Sequence, residues 1–252
     1  MKIGIIGAME EELISIRSIS QHLESFQQGN RTFWHGEAHG HEIYLTRCDP
    51  GKVNAAIATQ QLINFFSPDA IFNMGSSGAL SPDLEVGDLV VATESVQHDF
   101  DLTMWGMKPG ELIFDVTTAE NGQLKFRSQQ AFPSDAKLVQ LTCDIAQAVE
   151  LTKLGEYTPK IHMGRIASGD QFISKRERAD EIWKSAEALC TDMEAAAIAH
   201  TCVINATPFL CMRAISDKAD HSAMVSFTDF LVAATSNYGK IFDRVIQEFD
   251  GV

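Results

Sequence analysis

KIGIIGAMEEE, Lys2–Glu12, runs through an unbroken apolar and glycine stretch and then, with no proline between, into three glutamates. An apolar run this short, lacking the alternation of a half-solvated strand, reads as a strand buried on both faces. Carboxylates at the foot of the next periodic stretch suit the positive end of a helix, which the pattern starts near Glu10. The same grammar recurs along the chain. DAIFNM (69–74) is a second buried strand running into the Gly/Ser turn GSSGAL (75–80), and DLVVATESVQ (88–97), KIHMGRIAS (160–168) and TPFLCMRAI (207–215) are further strands. Helices are expected over 51–66, 135–151, 175–189 and 227–249, a hairpin about Gly40 over 31–48, and an irregular excursion or lid over about 99–133. Apolar strands alternating with helices predict one α/β domain over 1–252. Its mixed, largely parallel central sheet carries helices on both faces, and ligands bind beyond the carboxyl ends of its strands.

Composition narrows the partners. The 252 residues are 45% hydrophobic, enough for a sizeable core, and the formal charge is −14 with no Lys/Arg cluster. Phosphate backbones and anionic bilayers would be repelled, so neither nucleic acid nor membrane is an expected partner. Every apolar run is broken by charge well short of a bilayer's thickness, and no signal peptide is legible. Cys48, Cys143, Cys190, Cys202 and Cys211 form no C-x-x-C and are odd in number, which suits buried thiols in a reducing cytoplasm.

Four stretches fall where a site on such a sheet would lie. In GIIGAMEEE the G-x-G-x-x-G spacing is absent and three carboxylates would repel a pyrophosphate, so Glu10–Glu12 either complement a helix dipole or do chemistry. The backbone amides of NMGSSGAL and the Ser76 hydroxyl could hold a substrate hydroxyl or an anion. In TDMEAAAIAH, Thr191 and Glu194 fit a capping box; alternatively Glu194 is a carboxylate in a dry place, costly unless paired or used, with the following alanines letting the helix pack closely. In RAISDKAD, Asp217 follows an apolar strand and is either an N-cap or a catalytic acid, and Arg213 is a natural counter-charge for a buried glutamate. Phe172 in GDQF offers a stacking face or a core ring. His35, His39 and His41 lie about a hairpin turn and read as solvated surface rather than a metal site.

MKIGIIGAMEEE, GSSGAL followed by VGDLVVA, ASGDQFI, DMEAAAIAH and RAISDKAD, in this order, resemble the nucleoside phosphorylase/nucleosidase family. Within it they are most similar to the bacterial 5′-methylthioadenosine/S-adenosylhomocysteine nucleosidases. The resemblance spans nearly the whole chain except about 106–133. It implies hydrolysis of an N-glycosidic bond with release of adenine and a 5′-thio-ribose, in methionine salvage and the methyl cycle, with no metal or cofactor. It also implies roles: Asp217 as general acid at adenine N7, Glu12 orienting and deprotonating the attacking water, and Glu194 binding the 2′- and 3′-hydroxyls. Around them it places Met9, Gly78 and Ser216 among the substrate-binding residues, Met193 against the sugar, Ser76 and Arg213 organising water and carboxylate, Phe172 stacked on adenine with the Ile173 backbone reading its edge, and Pro50, Phe227 and Trp105 towards the 5′ group. Trp105 would reach the pocket of a neighbouring subunit in a homodimer.

Departures from the pattern bear on specificity. CDPGK (48–52) carries Pro50 where the family has isoleucine, Asp192 replaces the first glutamate of E-M-E, and GMKPGELIF (106–114) is unlike the usual sequence. Pro50, Asp49 and the bulk of Trp105 are expected to favour a compact apolar 5′ group. Asn73-Met74 stands where phosphorylases carry an arginine before GS, which argues for water as nucleophile. The alternatives are a hydrolase or phosphorylase of another 5′-modified purine nucleoside, of futalosine type, and a non-catalytic nucleoside-binding protein.

Overall fold

Strand β1, Lys2–Gly7, lies in the middle of the sheet, paired in parallel with β4 (His41–Arg47) on one side and β5 (Ala70–Ala79) on the other. The computed structural model describes residues 1–119, 121–220 and 223–251, and the side chains of these except at 115 and 223–235. Beyond β5 come β12 (Phe209–Asp217), β6 (Leu89–Gln97), β10 (Ile161–Ser168) and the short β11 (Cys190–Asp192). The pairs β5–β12, β6–β10 and β10–β11 are parallel. Antiparallel pairing is found between β12 and β6, at the outer strands β2 (Gln21–Gln28) and β3 (Arg31–Ala38), and at β9 (Ala131–Pro133). Because β11 also bonds the far end of β5, through Cys190 opposite Ala79 and Thr191 opposite Gly78, this half of the sheet curls into a closed ring. Closure draws the carboxyl ends of β5, β10, β11 and β12 around one hollow.

The double-sided burial of these strands follows from two cores. In β1, Ile3 and Ile5 face one core while Ile6 faces the other; in β5 Phe72 and Met74 oppose Ile71, and in β12 Leu210 and Met212 oppose Cys211 and Ile215. The first core is covered by α1 (Glu10–Ile19), α3 (Ala136–Ala148) and α6 (Ala223–Glu248). The second is covered by α2 (Lys52–Phe66) and α5 (Ala195–Ile204), while α4 (Arg176–Ala186) packs a smaller third cluster. A side chain the size of Phe72, buried to 1% exposure, contributes about 1.5–3 kcal/mol to this arrangement. Among the described residues no helix is long and apolar enough to cross a membrane.

Three local expectations need correction. GSSGA is no turn: it is the second half of β5, held extended by ladders from β12 and β11 that override the turn preference of Gly and Ser. The polar strand QHLESFQQ and the three-residue β11 were not anticipated, the first being an exposed edge without apolar alternation and the second too short for a period. Residues 99–133 are more ordered than an irregular excursion. They hold a 3-10 turn at Thr103–Trp105, a hairpin of β7 (Leu112–Thr118) and β8 (Leu124–Gln129), and β9 on β6.

Candidate active site

At the carboxyl ends of these strands lies a cavity of about 290 Å³. Glu12 enters it from the first turn of α1 and is 4% exposed. Its Oε2 accepts from the amides of Ala8 (2.8 Å) and Met9 (3.1 Å), and its Oε1 from the amide and hydroxyl of Ser76, both at 2.9 Å. Glu12 therefore both closes the start of its own helix and reaches across to β5, with its carboxylate on the cavity. Tyr238 of α6 fixes the turn from behind, its hydroxyl donating to the Glu12 carbonyl at 2.7 Å. The glycines of GSSG have a defined task here. A Cβ on Gly75 would sit 2.8 Å from Glu12 Oε1 and 2.8 Å from Arg213 Nη1, and one on Gly78 would sit 2.9 Å from Asp217 Oδ1. Their missing side chains are the room the charged groups occupy.

Asp217 ends β12 at 3% exposure. Its Oδ1 accepts from Ala219 N (2.8 Å) and its Oδ2 from the Ser216 hydroxyl (2.9 Å). Burial nevertheless pushes its carboxyl above the ordinary aspartate range. Glu194, 6% exposed, accepts from Gly51 N at 3.0 Å and stands 4.0 Å from Arg213 Nη2. Burial first, and then the neighbouring Asp192 carboxylate, raise the Glu194 pKa.

The capping-box pairing of Thr191 with Glu194 is not formed. Thr191 lies in β11 and donates to Ala167 O at 2.8 Å, while the first amides of α5 are taken by Asp192 and Ser168. Asp192 is the residue that sequence reasoning undervalued. It caps α5, accepts from the Ser168 hydroxyl, and is the closest partner of Arg213, with Nε at 2.7 Å and Nη2 at 2.6 Å. Arg213, at 1% exposure, lies behind the cavity wall rather than in it, and pairs with Asp192 more closely than with the glutamate expected. Its Nη2 also donates to Asn73 Oδ1 at 2.6 Å, and Asn73 Nδ2 to Ile6 O at 2.9 Å, which locks β12, β5 and β1 together under the site. A buried arginine two strands from a D-x-x-A helix start was the signal available for this pair.

The remaining expected residues divide. Met9, Ser76, Gly78, Ile173, Met193 and Ser216 line the cavity, as do Pro50 and Phe172, the latter 46% exposed. Trp105 does not line the cavity of its own chain; it is 64% exposed and stacks on Phe126 with ring centres 6.2 Å apart. The side chain of Phe227 is outside the described residues. Asp49, expected to bring a negative charge beside Pro50, pairs with Arg47 at 2.9 Å and is absent from the cavity lining. His39 pairs with Asp243 and His35 stacks on Tyr44, and among the described residues no group of His, Cys, Asp and Glu is arranged to hold a metal ion.

The sequence profile of the phosphorylase superfamily matches residues 2–247. The 5′-methylthioadenosine/S-adenosylhomocysteine nucleosidase of Tolumonas auensis is 35% identical, the match covering 98% of this chain and all of that one. Among solved structures, the nucleosidase of the same name from Neisseria meningitidis, in complex with methylthio-immucillin-A, superposes with a TM-score of 0.85 at 34% identity over 98% of this chain and 99% of that one. A futalosine hydrolase of Helicobacter pylori superposes with a TM-score of 0.85 at 29% identity over 99% of this chain and 98% of that one.

Proposed function

The chain belongs to the phosphorylase superfamily, and from that footing we propose that it hydrolyses the N-glycosidic bond of 5′-methylthioadenosine and S-adenosylhomocysteine, releasing adenine. The observation that carries the hydrolytic reading is the charge of the cavity. It is lined by Glu12, Asp192, Glu194 and Asp217, and among the described residues by no lysine, arginine or histidine. A phosphate nucleophile would meet acidic groups on every side, Glu12 nearest the helix start, and no facing cation, whereas water needs only a base and an orienting donor. Breaking the bond builds positive charge on the ribose and negative charge on the departing purine. Asp217, its proton held by burial, gives that proton to the base; Glu12, with Ser76 beside it, takes one from water; Glu194 holds the ribose hydroxyls. Phe172 and Ile173 bound the purine side. The test is adenine release from methylthioadenosine in phosphate-free buffer. Release only on adding phosphate would mark a phosphorylase, and tight binding without release a nucleoside-binding protein. The resemblance to futalosine hydrolase keeps a different 5′ group as the second reading, distinguished by offering that nucleoside in the same assay.

Glu194→Ala is expected to raise KM and lower kcat together, because its contact with the ribose hydroxyls binds the substrate and strengthens as positive charge develops on the ribose in the transition state. A variant that only melts earlier, with both constants kept, would return Glu194 to a structural role.

The physiological setting proposed is methionine salvage and the methyl cycle in the cytoplasm; five free, buried cysteines suit a reducing compartment. A homodimer is proposed on the apolar surface of the excursion, where Met104 is 97% and Trp105 64% exposed. In that assembly Trp105 closes the partner's 5′ pocket, and with Pro50, which has no amide donor, it favours a compact apolar substituent over a zwitterionic tail. The expected result is a higher kcat/KM for methylthioadenosine than for S-adenosylhomocysteine, the gap narrowing in Trp105→Ala. Equal or reversed preference would mean that the 106–133 segment supplies its own contacts to the tail.

A further inference from the structure

We propose that Asp99 is a positioning residue which, with Lys52 and Asp170, ties the ribose-side and purine-side loops of the cavity into one unit; the assignment of the two sides rests on the function proposed above. The three residues come from distant parts of the chain, and none lines the cavity. Asp99 Oδ1 accepts from Lys52 Nζ at 2.5 Å and its Oδ2 from Asp170 N at 2.8 Å, while Asp170 Oδ1 accepts from Lys52 N at 2.8 Å, which closes a ring. Lys52 Nζ also donates to Gln97 Oε1 at 3.1 Å. The Lys52 and Asp99 side chains are only 16% and 15% exposed, so solvent screens this pair less than an ordinary surface bridge.

Each end of the ring sits beside a site contact. Lys52 is the first residue of α2, and the residue before it, Gly51, gives its amide to Glu194. Gly51 provides no side-chain cap, so the carboxylate of Asp170 takes that place at the helix start from 118 residues away. Asp170 in turn lies two residues before Phe172 and three before Ile173. Beneath it, the backbone at Gly169 rests directly on His98, where a Cβ would come within 2.3 Å of Nε2. The loop that bounds the purine and the loop that meets Glu194 thus hang from the same carboxylate, while Glu12 and Asp217 are held by α1, β5 and β12.

Loosening the ring should therefore weaken fit to the whole nucleoside and leave proton transfer nearly intact. Asp99→Asn and Lys52→Met are each expected to raise KM for methylthioadenosine about tenfold, the scale of one charge-assisted hydrogen bond, with kcat within about threefold of wild type. Lys52→Arg should recover most of the loss. Because the ring acts as a unit, Lys52→Met combined with Asp170→Ala should be little worse than either alone. Hydrogen exchange on the substrate-free protein should show the amides of Lys52 and Asp170 becoming faster together in Asp99→Asn. Additive effects, or a lower melting temperature with KM unchanged, would overturn the proposal. Exchange reads the ring whatever the enzyme cleaves: a wild type that releases no adenine defeats the functional reading, whereas unlinked exchange at Lys52 and Asp170 defeats this one.

Discussion

Asp217→Asn is expected to keep the fold and nucleoside binding while lowering turnover by at least about 100-fold, the usual scale for losing a general acid. Asparagine preserves a carbonyl oxygen that can accept from the Ala219 amide, so the loop after β12 should hold its shape. It cannot deliver a proton to a leaving purine. The pH dependence carries the same information with a definite sign. Burial places the Asp217 pKa above the ordinary range, against the pull of two hydrogen bonds to its charged form. The protonated, active form therefore survives further towards neutrality than an exposed aspartic acid would, and the rate should fall as pH rises through that raised pKa. Steady-state kcat on methylthioadenosine, measured across pH alongside thermal melting, checks both. Near wild-type turnover in a folded Asp217→Asn would sink the assignment, as would a descending limb that persists unchanged in the variant.

Glu12→Gln should be similarly inactive, for a different reason. The carboxylate accepts from four donors, two on each oxygen. A carboxamide has only one oxygen to offer, so its NH2 must face either the Ala8 and Met9 amides or the Ser76 amide, and it has no basic oxygen for the attacking water. Turnover is expected to drop at least about 100-fold, with a loss of stability from the mismatched donors of about 1–3 kcal/mol that a lower melting temperature reports. Glu12→Asp separates the two effects. It restores the charge but shortens the reach to Ser76, so it should recover stability at the α1 start more than it recovers rate. A Glu12→Gln enzyme that cleaves at a normal rate would move the role of base to another carboxylate in the cavity.

Much of this architecture was legible because it depends on local periodicity. Lys2–Gly7 is read as a doubly buried strand from its apolar run, and Glu10 as a helix start from its charge. Glu194 and Asp217 stood out because they border otherwise apolar stretches, where an unpaired charge is costly, whereas Glu12 was separated from Glu10 and Glu11 only by the family resemblance. Less visible were features with no period: the polar edge strand at 21–28, the three-residue β11, and the hairpin within 99–133.

By itself, then, the sequence determined the apolar central strands and most of the helices, that those strands are covered on both faces, and where acids interrupt or follow them, since burial pattern and charge placement are written residue by residue. Tertiary structure alone decided how the acids are partnered. That Arg213 pairs with Asp192 ahead of Glu194, that GSSG is a strand making room for two carboxylates, and that Lys52, Asp99 and Asp170 close a ring all rest on contacts between residues far apart in the chain. Such contacts depend on the ring closed by β11, which brings the ends of β5, β10 and β12 to one place, and no local pattern encodes a distance across a sheet.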